Sequence, residues 1–165
     1  MNLTWLKLWR CTKVGARVRA LGSVYVVGGG RIEVGDDVCI DGRVVPVELH
    51  AGPRGVLRIG NGCVLEGGVS LEAEELVELG PRCHLGPFTK VMDNHFHPIC
   101  PERRHERPTS KPVHLGEGVR LGAQAIVLPG AALEANVTLE PGVVIGRHVK
   151  AGLTLVGNPP HAVHP

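Results

Sequence analysis

Residues 115–150 read LGEGVRLGAQAIVLPGAALEANVTLEPGVVIGRHVK, six consecutive units of six residues. Stepping by six from Leu115 meets Leu121, Val127, Leu133, Leu139, Ile145 and then Ala151, all aliphatic or small. Glycine follows at 116, 122, 146 and 152. The fifth residue of each unit is also small or β-branched: Val119, Ala125, Ala131, Val137, Val143 and Val149. A helical period of about 3.6 does not yield this spacing, whereas an even period keeps alternate side chains on one face of extended chain. The stretch therefore predicts an all-β stack of short strands made from an internal repeat.

The same ruler runs upstream in shorter pieces, through Val34 and Ile40, then Ile59, Leu65 and Leu71, then Leu79, Leu85 and Val91. Its phase slips at DGRVVPVELHAGPRG (41–55) and EAEEL (72–76), where short excursions or irregular turns are expected. The longest slip is 92–114, proline-rich, charged and nearly free of aliphatics. It reads as a projecting loop, and a long patternless loop is more often functional than incidental. The layout is one domain: an N-terminal capping segment at 1–13, coils over about 20–91 and 115–157, the loop at 92–114 and a tail at 158–165.

Composition agrees with a narrow interior. Of 165 residues 43% are hydrophobic but only 3% aromatic, with 23 glycines and 13 prolines. The net charge of +2 names no partner, and no nucleic-acid partner is expected. Lys7, Arg10 and Lys13 interrupt the early apolar positions, so no secretory signal is read, and no apolar run is long enough to span a membrane. The five cysteines include no C-x-x-C pair, and Cys63 and Cys83 fall on inward repeat positions, which points to buried thiols in a reducing cytoplasm. Leu3, Trp5, Leu6 and Trp9 form an apolar helical stripe. Met1 to Ala20 holds five basic residues and no acidic one. Capping or packing against other copies is the plainer role for this segment, and contact with a membrane surface the alternative.

The polar cluster VMDNHFHP (91–98) admits three readings from its residues alone: a proton-transfer site, a metal site or a solvated loop. The repeat units, together with DNHFHPICPERR and the following PVHLGEGVRLGAQAIVLPGA, resemble the hexapeptide-repeat acyltransferases of the left-handed parallel β-helix type. That superfamily includes the galactoside and maltose acetyltransferases and the sugar and polysaccharide O-acetyltransferases. The left hand is implied by the resemblance alone, since parallel crossovers are otherwise right-handed. The resemblance implies transfer of an acetyl group from acetyl-CoA to a hydroxyl of a sugar or glycan precursor, with no metal. It places His97 at the catalytic position, with Asp93 as the acidic residue and His95 where relatives carry aspartate. Imidazole, with an unperturbed pKa of about 6.5, suits a base near neutral pH. The resemblance also assigns the oxyanion donor to the backbone N–H of Ala123, after Gly122. It sets the coenzyme along Pro141, Gly142, Gly146, Arg147 and Lys150. A homotrimer is implied, with active sites between subunits.

Arg104, with Arg103 and Arg107, either meets an anionic acceptor or keeps the loop soluble. An amine acceptor on an amino-sugar or antibiotic stays open. Two further alternatives are a zinc enzyme like the gamma-class carbonic anhydrases and a non-catalytic scaffold. The first needs a histidine pair spaced five apart on a coil, and HFH is a poor match.

Overall fold

The structure, a computed structural model, describes residues 3–95, 100–106 and 108–163. The chain coils into a three-faced parallel β-helix. The first face is a seven-stranded sheet running Lys13–Val14, Arg31–Val34, Val56–Ile59, Leu76–Leu79, Val113–Leu115, Ala132–Leu133 and His148–Val149. The second face holds Val64–Leu65, His84–Leu85, Arg120–Leu121, Thr138–Leu139 and Thr154–Val156, and the third holds Ser70–Ala73, Lys90–Met92, Ile126–Val127 and Val144–Ile145. Two long strands, Arg19–Gly28 and Cys39–Ala51, run round the edge between the second and third faces.

The register gives the repeat its physical meaning. Leu115 pairs with Leu133, Leu121 with Leu139 and Val127 with Ile145, each one turn of three hexapeptides apart. These side chains and the fifth-position residues are buried, with Cys63 and Cys83 among them. The core is built from valine, leucine, isoleucine, alanine and cysteine, and the described aromatics, Trp5, Trp9, Tyr25 and Phe88, are all exposed. Glycine after the inward residue answers a steric demand rather than a dihedral one. A Cβ on Gly116 or Gly122 would lie 2.7 Å or 2.6 Å from a backbone nitrogen of the next turn. Positive φ falls two residues later, at Gly118, Gln124, Asn136 and Gly142.

The slips are local. Pairing with Arg19–Gly28 shifts between Gly22 and Val24, so the chain bulges at 43–46 and leaves Val44 93% exposed. EAEEL is a tight corner at Glu74 and Glu75 between two strands. At Val91 and Val127 the interval grows to two turns' length because the loop leaves there. One expectation fails: Ala151 is exposed rather than inward. The corner at Gly146 and Arg147 is two residues shorter than its counterpart at 128–131, so Val149 pairs with Leu133 and takes the inward rung. Ala151 becomes a corner residue whose N–H is accepted by Glu134 Oε2 at 2.9 Å.

Both ends are closed by side chains acting as missing backbone. The helix Thr4–Lys7 lies on the first turn, where Thr4 Oγ1 accepts the Ala20 N–H at 3.1 Å and Leu8 is buried. The expected stripe of Leu3, Trp5, Leu6 and Trp9 faces outward instead. At the other end Asn158 accepts from Val144 N and donates to Gly142 O, both at 2.8 Å, and His161–Val163 pairs antiparallel with Thr154–Val156. Among the described residues no helix is long and apolar enough to cross a membrane.

Candidate active site

The loop is anchored by two buried polar residues. Asp93 is fully buried. Its Oδ1 accepts the Glu74 N–H at 2.8 Å, and Oδ2 accepts those of Glu75 and Leu76 at 2.7 Å each. Its carbonyl takes the N–H of Lys111, where the chain returns. Asn94 Nδ2 donates to Pro108 O at 2.8 Å and Ser110 Oγ at 2.9 Å. Outgoing and returning arms are thus clamped at their base, and the distal part carries a 3-10 turn at Pro101–Arg103. His95 and Arg104 are exposed on this loop, and Arg103 pairs with Glu106 at 2.7 Å. His97, the expected base, and Arg107 lie outside the described residues.

Ala123 sits on another edge, between the second and third faces. There the corner position reads Pro87, Ala123 and Pro141 on successive turns. Proline has no N–H, so Ala123 carries the sole donor of that column over three turns. Among the described residues this N–H donates to nothing. Thr89, which the sequence reading passed over, orients that peptide. It is fully buried at a rung otherwise filled by Val69, Ala125 and Val143, and its hydroxyl lies 2.7 Å from Gly86 O and 3.3 Å from Gly122 O. The exposed ring of Phe88 flanks the same edge, against Gly68.

The expected site residues therefore occupy three edges. Gly122, Ala123, Pro141 and Gly142 share one, the loop base shares the next with Gly146 and Arg147, and Lys150 begins the third. One face, about six residues or ~20 Å of extended chain, separates Ala123 from Asp93. Within one protomer the described residues do not bring them together. Arg147 is exposed, with guanidinium contacts at 3.4 Å to His148 O and 3.5 Å to Pro160 O.

Other titratable residues serve the frame. Glu78 lies between Arg58 and His114, at 3.5 Å and 3.2 Å. His84 pairs with Glu66 at 2.5 Å and His148 with Glu134 at 2.8 Å. The Ala151 N–H, then His148, hold the Glu134 carboxyl below its ordinary range. All five cysteines are free thiols, and burial pushes Cys11 up to about 11. Among the described residues no three His, Cys, Asp or Glu side chains gather in a metal-binding group.

The chain is built of six-residue repeats wound into a β-helix, a fold shared with solved β-helix acyltransferases. Residues 112–147 match the family described as bacterial transferase hexapeptide (six repeats). The bifunctional protein GlmU of Xylella fastidiosa is 30% identical over 127 residues, 77% of this chain but 26% of that protein. The galactoside O-acetyltransferase of Lactococcus lactis is 26% identical over 128 residues, 77% of this chain and 59% of that one. The chain thus spans less than two thirds of either. Among solved structures, the N-acyltransferase AntD of Bacillus cereus, bound to dTDP-4-amino-4,6-dideoxyglucose and coenzyme A, superposes with a TM-score of 0.76 at 17% identity. The match covers 99% of this chain and 88% of that one. A hexapeptide-repeat acetyltransferase of Vibrio cholerae with acetyl coenzyme A gives 0.64 at 16% identity, covering 96% and 73%. Likeness at this level of identity establishes the fold.

Proposed function

We propose that the protein transfers an acetyl group from acetyl-CoA to a hydroxyl of a sugar or glycan precursor, with His97 as general base. The observation that carries this reading is the lone Ala123 N–H, unbonded among the described residues and set beside Thr89 between two prolines on a hexapeptide coil. Acetyl-CoA supplies an acyl carbonyl activated as a thioester. His97 takes the proton of the attacking hydroxyl as the new C–O bond forms. The Ala123 N–H faces the carbonyl oxygen as it gains charge, and the histidine returns the proton to the departing sulfur as the C–S bond breaks. Asp93 holds the loop's base and is the acidic partner assigned to the histidine. Pro141 and Gly142 line the course of the coenzyme on the Ala123 edge, Gly146 and Arg147 meet it from the loop edge of a neighbouring copy, Lys150 on the remaining edge lies outside that groove, and Arg104 meets an anionic acceptor.

Loop base and Ala123 lie on separate edges, and a neighbouring copy can set one edge against the other. We read the assembly as a homotrimer with active sites between subunits, working in a reducing cytoplasm, a reading in keeping with the five free thiols. The second reading is N-acylation of an amino-sugar, favoured by the superposition on AntD with its amino-sugar ligand.

Thiol release from acetyl-CoA, screened against sugars, nucleotide sugars and amino-sugars, separates the two. His97→Ala should lower kcat by about 10²–10⁴-fold with coenzyme affinity intact. Full activity in that variant removes the mechanism, and a fully active monomer in light scattering removes the shared site.

A further inference from the structure

The N-terminal end of the helix carries a surface that acyl transfer does not use. Trp5 and Trp9 are 69% and 70% exposed, and Leu6, Tyr25 and Val27 each more than half. They are continuous: Leu6 and Trp9 line one groove with Tyr25 and Val27, and Trp5 and Trp9 line another with Val14. Among the described residues the core excludes aromatics, and both tryptophans lie here. Arg10 lies over the Trp9 ring at 5.9 Å, and Lys13 and Arg19 stand exposed nearby. Charge is segregated in the same sense. Six of the eighteen basic residues, and none of the sixteen acidic ones, precede Glu33. Arg17 is neutralised by Asp37 at 2.6 Å and Arg31 by Glu33 at 2.5 Å, so the effective cations are Lys7, Arg10, Lys13 and Arg19.

We infer that this end of the molecule rests on an anionic lipid bilayer, with Trp5, Leu6, Trp9 and Tyr25 at headgroup depth and the basic rim against lipid phosphates. Tryptophan and tyrosine favour the membrane–water interface, and clustered lysine and arginine favour anionic leaflets. A self-complementary contact with a second copy would set this basic rim against itself. A bilayer offers both an apolar interior and negative charge. The buried Thr4 and Leu8 fix the segment to the first turn, so the surface is preformed. The inference is independent of the transfer chemistry.

Because the patch holds both tryptophans, their fluorescence reports on it alone. Full-length protein is mixed with vesicles of phosphatidylcholine, or of phosphatidylcholine with phosphatidylglycerol, and followed by emission and flotation. The mixed vesicles should shift the emission to the blue and carry the protein upward, with salt weakening the binding. Reversing Arg10, Lys13 and Arg19 to glutamate should weaken it by about a hundredfold. Trp5→Ser with Trp9→Ser should abolish flotation while the circular dichroism of the β-helix is unchanged, since both rings are exposed. Unchanged emission with the mixed vesicles overturns the inference. So does emission already blue without lipid, together with a smaller particle by light scattering in the tryptophan variant, which would make the patch a contact between protein chains.

Discussion

Asp93 supplies both carboxylate oxygens to three backbone N–H groups of the corner at 74–76. Asp93→Ala leaves all three without an acceptor, and a cost of about 2–3 kcal/mol should appear in urea unfolding. Asp93→Asn can accept only on one side and should lose roughly half as much. A variant inactive at unchanged stability would instead make Asp93 a partner of the histidine alone. Thr89 poses the converse case. Gly86 O and Gly122 O also accept the N–H groups of Thr89 and Ala125, so Thr89→Val leaves neither carbonyl orphaned and should cost about 1 kcal/mol. What it loses is the orientation of the Gly122–Ala123 peptide. In acetyl-CoA turnover kcat should fall by about tenfold or more, with KM for acetyl-CoA little changed.

At the scale of the turn, two kinds of glycine separate. Gly122→Ala drives a Cβ to within 2.6 Å of Pro141 N, a clash with backbone that cannot rotate away, and should cost about 1–3 kcal/mol in thermal unfolding. Gly142→Ala meets open space and bears only the strain of its φ of 74°. It should cost about 1 kcal/mol. The last turn adds a pH signature. Glu134 is held ionised by the Ala151 N–H and His148, so its contribution is present at neutral pH and fades as pH falls through its lowered range. The Ala151 amide resonance should titrate with a midpoint below that of a free glutamate, and Glu134→Gln should remove that movement. Much at this scale was legible in the sequence, because inward rungs and interrupting loop differ in composition. The short corner at Gly146 was not, since Val149 and Ala151 are both apolar and either satisfies the pattern. Nor could a helical period tell Leu8 from Leu3 or Leu6. The contact of Thr89 with Gly122 O and the hydrogen bonds of Asn94 and Asn158 reach residues 14 to 33 positions away, and no local pattern announces them.

Across the whole molecule, strand pairing between turns sets the architecture, and an added turn offers its neighbours inward residues equivalent to those they already meet. That makes the coil a gauge with a fixed increment, because each turn advances the axis by one strand spacing, about 4.8 Å. A second copy of residues 116–133 inserted after Leu133 would keep a Gly-Ala pair level with the loop. It would carry Pro141, Gly142 and Arg147 one increment further off. If those residues receive the distal part of acetyl-CoA, the lengthened protein should keep its kcat while KM for acetyl-CoA rises by about tenfold. The number of turns beyond the loop then acts as a selector of donor length, tunable only in whole steps.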